Sequence, residues 1–195
     1  MNDSSARKKI SPSRWISIAS MMTALALVGN YAFVAIPNVE LGSTILLITS
    51  YIFGFKMGIW VTLIMAAIFG SINPWGTLIP QIWITQVIGW IYIALSGGIM
   101  SRNLDTRLTD RWSPFEFGVV GLIATLFFDL ITNIGYSWAF SVPFWIALVL
   151  GLPFLLIHVT SNMILFAAAI PRISSIIGKQ FAPYIWQTDE LLSEE

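Results

Sequence analysis

The chain has no cysteine, a single histidine and only 10% charged residues. The first absence excludes disulfides, thiolate metal ligands and a cysteine nucleophile, and it leaves the redox compartment open. The second removes the usual route to a metal centre, since nothing around a lone His158 has metal-ligand spacing. The third says most. Water-soluble domains are roughly a quarter charged, so 10% charged, 56% hydrophobic and a mean hydropathy of +0.79 indicate an integral membrane protein. Catalytic signatures are missing too: there is no G-x-S-x-G, no H-E-x-x-H, no phosphate-binding loop and no carboxylate pair on one intramembrane helix turn. The chain is therefore read as a non-enzyme with no cofactor or metal of its own. The first three apolar runs do not resemble the last three, which argues against the internally repeated build of many secondary transporters.

What is present fits about six helices of roughly twenty residues joined by short loops. Residues 1–14 form a polar tail, 15–172 a transmembrane domain and 173–195 a second polar segment. The run from Trp15 to Ile36 is a retained first span, too long for a signal peptide. Between Leu41 and Ile72 the apolar run is interrupted only by Lys56, flanked by Gly54 and Gly58. Reading these as a turn makes two short spans, and the distribution of cations favours that choice. With further spans over 79–100 and 115–137 and a last one ending near Ile170, all ten Lys and Arg fall on one side. They lie in the tail (Arg7, Lys8, Lys9, Arg14), at Lys56, in one loop (Arg102, Arg107, Arg111) and in the final segment (Arg172, Lys179). Cytoplasmic loops carry the positive excess. The expected architecture is an all-α integral membrane protein, a six-transmembrane-helix bundle in the cell membrane with both termini cytoplasmic. Pro153 belongs in the first turn of a helix, so the sixth helix is expected to start near Leu152, leaving 138–150 as an outer apolar segment, a candidate lid.

Polar residues within the apolar runs collect at the opposite, outer level. Thr125, Asp129, Thr132, Asn133 and Tyr136 share one face of the fifth helix, which hydrocarbon would not tolerate. The first helix ends in Asn30 and Tyr31, and its turn supplies Asn38 and Glu40. Asn73-Pro74-Trp75-Gly76 forms a proline-bracketed mouth, followed on the fourth helix by Gln81 and by Trp83, Gln86 and Trp90 on one face. His158 and Asn162 are one turn apart on the sixth. The bland alternatives are interhelical hydrogen bonds, worth about 0.6 kcal/mol each, and an interfacial belt position for Trp75. Carboxamides, indoles, a phenol and an imidazole with few charges suit a neutral, polyfunctional organic solute better than an inorganic ion.

In order along the chain, Ala24-Leu25-Ala26-Leu27-Val28-Gly29-Asn30-Tyr31, Pro37-Asn38-Val39-Glu40, Tyr51-Ile52-Phe53-Gly54 with Gly58, Asn73-Pro74-Trp75-Gly76, Gly97-Gly98, Phe128-Asp129-Leu130 and Gly151-Leu152-Pro153-Phe154 through His158 and Asn162 resemble the substrate-binding S components of energy-coupling factor vitamin transporters. The resemblance implies a six-helix subunit that captures a vitamin or related micronutrient from outside. It implies a transmembrane T subunit and a pair of cytoplasmic ATPases as partners, with ATP used by the latter, and no nucleic acid. Within the family the likeness points to the branch associated with cobalamin uptake. The family's Ala-x-x-x-Ala docking motif has its nearest counterparts in Ser20 with Ala24 and Ala19 with Thr23, where small residues permit close helix approach. The other class that fits is a small membrane enzyme or assembly factor with a polar cavity.

Overall fold

Proline opens four of the six helices, where its fixed φ suits the first turn and its missing N–H would have found no helical partner. Pro12 starts α1 (Pro12–Ala32), Pro80 starts α4 (Pro80–Ser101), Pro114 starts α5 (Pro114–Phe140) and Pro143 caps α6 (Phe144–Ile176). The remaining two are α2 (Gly42–Phe53) and α3 (Phe55–Ser71), and a π-helical segment, Ile177–Phe181, extends α6. This computed structural model describes residues 10–74, 76–101 and 112–181, and among them there is no strand. Trp75, the cations at 7–9, 102, 107 and 111, and residues 182–195 of the second polar segment lie outside the described residues. α5 also carries a full capping box: Glu116 N–H donates to Ser113 Oγ at 3.3 Å and Ser113 N–H to the Glu116 carboxylate at 2.6 Å.

Gly54 divides α2 from α3. Its φ of +91° is costly for any residue with a Cβ, and it turns the chain within one residue, leaving Lys56 exposed at the tip. The interruption expected at Lys56 is therefore a helix break. Successive helices run antiparallel, as the seam between α5 and α6 illustrates: Gly118 lies against Ala167, Gly121 against Asn162 and Phe166, Asp129 against His158, and Asn133 against Gly151. The described cations Arg14, Lys56, Arg172 and Lys179 consequently share one end of the bundle, while Glu40 and Asp129 belong to the other half.

Four helices, α1, α4, α5 and α6, are long and apolar enough to cross a membrane. α2, with 12 residues, is only about 18 Å long. It is buried from Gly42 to Ile52 except at half-buried Ile45, and it packs against α1, α3, α4 and α6, so it forms the axis of the bundle. A helix wrapped in protein can be short because its ends meet other helices instead of lipid. Leu46, Leu47, Ile48, Met57, Val61, Met65, Ile93 and Phe166 close the core around it, all fully buried.

Three expectations are corrected. Residues 138–150 are no separate lid: α5 continues to Phe140, and 144–150 are the first turns of α6, with Pro153 inside the helix. The break falls instead at Ser141–Pro143, where Ser141 adopts φ +53° and Ser137 Oγ donates to the Val142 carbonyl at 2.6 Å. One hydrogen bond lost at Pro153 costs less than ending a helix among apolar neighbours, which would strand several backbone groups. α6 likewise runs past Ile170 and Pro171 to Ile176, so residue 172 lies within a helix. On α1, Ala19 and Thr23 are buried in the bundle, Thr23 Oγ1 donating to the Ala19 carbonyl at 2.8 Å. Of the four small residues expected at a partner interface, Ser20 and Ala24 alone face outward.

Candidate functional site

Two of the three inter-helix connections at the end away from the described cations, α1–α2 and α3–α4, together with residues of α1, α3, α4, α5 and α6, surround a partly open cavity of about 400 Å³. The α1–α2 loop forms one wall. Asn38 sits there at φ +59°, a conformation asparagine tolerates better than most residues. Its Nδ2 donates to the Phe154 carbonyl at 3.3 Å, and its own carbonyl accepts from Ser161 Oγ at 3.2 Å. The loop is thus tied to α6 at two points, which sets Glu40 beside the first turn of α2. There its carboxylate accepts from Ser43 Oγ and lies at the positive end of that helix.

Opposite this wall, α5 and α6 contribute Asp129 and His158. His158 Nδ1 is 2.9 Å from Asp129 Oδ1, and His158 Nε2 is 3.9 Å from Glu40 Oε1. An ionised carboxylate only accepts, so with Asp129 ionised the Nδ1 atom carries the proton and Nε2 is turned towards Glu40. Two carboxylates from distant parts of the sequence therefore converge on the single imidazole.

α4 supplies Trp83, Gln86 and Trp90 on one face, and all three line the cavity. Trp83 approaches α3 closely because Gly70 has no side chain; a Cβ there would come within 2.6 Å of the indole ring. The indole Nε1–H donates to the Ala66 carbonyl at 2.9 Å. Beneath, aromatic rings run from helix to helix. Phe69 and Trp90 stand edge to face at 6.0 Å, Trp90 and Phe128 are tilted at 5.6 Å, and Phe128 meets His158 edge-on at 5.5 Å. Edge-to-face contacts of this kind add about 0.5–1.5 kcal/mol beyond area burial, so the floor is stiff.

Of the residues singled out from the sequence, Asn30, Asn38, Glu40, Asn73, Trp83, Gln86, Trp90, Asp129, Thr132 and His158 line this one cavity. Five others do not. Tyr31 donates its hydroxyl to the Ile72 carbonyl at 2.8 Å, joining the ends of α1 and α3. Gln81 is half-buried at the start of α4, away from the cavity lining. Asn133 turns its amide back to the Asp129 carbonyl at 2.7 Å, and Tyr136 lies on the outside of the bundle against Phe140. Asn162 is fully buried and donates to Thr125 Oγ1 at 3.0 Å. The sixth, Trp75, lies outside the described residues.

Of the aromatic floor, Trp90 was read from its spacing to Trp83 and Gln86 on one face of the fourth helix, whereas Phe69 and Phe128 were missed as part of the site. Phe69 and Phe128 look like any lipid-facing phenylalanine, and only the facing glycine at Gly89, whose Cβ would enter the Phe128 ring, marks a close approach.

No metal-holding group of three or more His, Cys, Asp or Glu exists among the described residues. No family model matches the chain, and neither does any curated protein or solved structure.

Proposed function

We propose that the chain is the solute-capturing membrane subunit of an uptake system, of the energy-coupling factor S-component type. In this reading all six helices cross the cell membrane, both termini are cytoplasmic, and the cavity opens outward, away from the cations. One observation carries it. Asn30 Oδ1, Trp90 Nε1, Asp129 Oδ2 and His158 Nε2 are buried polar atoms with no hydrogen-bond partner among the described residues, and all four side chains line the same cavity. Folded proteins pair nearly all such atoms, because each one left bare costs about 1–3 kcal/mol. A solute with donors and acceptors of its own can pair with them.

The cavity volume lies in the range of roughly 300–1,000 Å³ that holds small organic ligands. That favours a compact vitamin-like molecule; a corrinoid would have to widen the mouth. Energy for release comes in this scheme from a T subunit and two ATPases. The exposed Ser20 and Ala24 on α1 are the surface against which a partner helix approaches closely.

Native mass spectrometry of the protein purified in mild detergent tests the reading. A one-to-one small-molecule adduct is expected, together with copurification of a T subunit and an ATPase pair. A bare protein under every growth condition would refute solute capture. The enzymatic alternative has one observation in its favour, the Asp129–His158 pair, which has the form of a base oriented by a carboxylate. Turnover of a lipid or isoprenoid by the isolated protein would support it.

A further inference from the structure

We propose that the cavity selects a positively charged solute: a compact molecule bearing an amine, amidinium or quaternary ammonium group on an aromatic or apolar frame. This deepens the solute-capture reading and rests on it. It replaces the neutral solute suggested by residue types alone, because the fold brings together charges that the sequence holds far apart.

The first support is charge balance. Glu40 and Asp129 both line the cavity, and among the described residues the only base there is His158. Whether the imidazole is neutral or protonated, ionised carboxylates leave the site with at least one uncompensated negative charge. Among the described residues no Lys or Arg lines it. Lys56, at the start of α3, is separated from Phe69 and Gly70 by about 20 Å of helix, well beyond pairing distance. A charge held among apolar walls is costly unless paired. A cationic group between Glu40 and His158 would supply the missing partner.

The second support is the wall chemistry. Trp90 is 2% exposed and forms the floor with Phe128, while Trp83 closes one side. Indole and phenyl faces attract cations through the ring quadrupole, most strongly where water is excluded. Carboxylates next to such faces are what an ammonium group needs.

The third is the lack of an anion site. A helix N-terminus would attract a carboxylate or phosphate, but the start of α2 is already taken by Glu40. α4 begins at the rim with Pro80, whose missing N–H removes one of the free donors there.

The test uses the full chain in lipid nanodiscs and three single-ring probes of matched size: benzylammonium, benzyl alcohol and benzoate. Isothermal titration calorimetry should rank benzylammonium about tenfold or more above benzyl alcohol, with no binding of benzoate. Glu40→Gln and, independently, Asp129→Asn should each shrink the ratio between the first two. Equal affinity for the alcohol, or preference for benzoate, would overturn the proposal while leaving solute capture standing. If none of the probes binds, the copurified solute decides: a cationic adduct sustains the proposal, a neutral or anionic one removes it, and no adduct removes both readings.

Discussion

Two hydrogen-bonded pairs bridge α5 and α6 one turn apart, and they do different things. Thr125 with Asn162 and Asp129 with His158 repeat the same i, i+4 spacing on both helices, at 3.0 and 2.9 Å. The first pair is sealed. Gly121 brings the α6 backbone close, Phe166 covers it, and both polar residues are 0% exposed. The second opens onto the cavity, with Glu40 across from it. One turn of helix thus separates a joint from a binding surface. The difference lies in what the neighbouring helices place over each pair.

The largest effect should come from forcing the sealed pair apart. A Cβ at Gly121 would sit 2.9 Å from the Asn162 carbonyl oxygen, a backbone atom that cannot swing away, and 3.1 Å from the Phe166 ring. Gly121→Val should therefore destabilise the protein by about 2 kcal/mol, read as loss of resistance to unfolding in mixed micelles. Native stability for this variant would mean that the seam is looser than the contacts imply, and the contrast between the two pairs would go.

At the open pair the expected damage is to binding. Asp129→Asn keeps the shape and a hydrogen-bonding oxygen but removes the charge. Benzylammonium affinity should fall about tenfold, a loss of 1.4 kcal/mol, with stability nearly unchanged. Asn38→Ala should act on the loop that covers this pair. Alanine at φ +59° costs roughly 1 kcal/mol and the bond to the Phe154 carbonyl is lost, so probe release, followed by tryptophan fluorescence, should speed up several-fold. Asn38→Gly, which relieves the backbone alone, should recover part of that rate.

These contrasts also show what could be read without a structure. The helices, the break beside Lys56 and the grouping of the described cations at one end follow from run length, glycine and charge placement, all local quantities. The stripe on α5 was legible as a polar face. Which of its members meet the cavity was not, since spacing fixes direction around one helix and says nothing about where a neighbour stops covering it. Asp129 and Asn133 share a face, yet one reaches the cavity and the other is closed off by the α6 turn at Gly151. Pro153 misled for a related reason. A proline signals a helix start in isolation, but here it is carried inside α6, and the actual break comes ten residues earlier at Pro143.

Asn162→Leu sharpens the comparison further, because it removes polarity from the sealed pair at similar volume. Thr125 can then turn its hydroxyl to a carbonyl of its own helix, as Thr132 does to Phe128 at 3.0 Å. The cost should be near 0.6 kcal/mol of stability, with benzylammonium affinity unaffected. Loss of binding at native stability would show that the solute site reaches a turn deeper than the cavity walls suggest.

Asn133 provides the smallest and most discriminating case. It was expected to touch the solute because it is strongly polar and lies one turn outward from Asp129. In the folded chain its Nδ2–H is spent on the Asp129 backbone carbonyl, within its own helix. Its amide also faces the Gly151 backbone, where an added Cβ would stand 2.8 Å from Oδ1. Removing the amide therefore deletes one local bond to a carbonyl that already serves the helix. Asn133→Ala should change stability by no more than about 0.5 kcal/mol and leave the calorimetric affinity for benzylammonium within twofold. A larger fall in affinity would mean that Asn133 holds the Asp129 carboxylate in place through the shared turn, and the site would then extend one turn outward along α5.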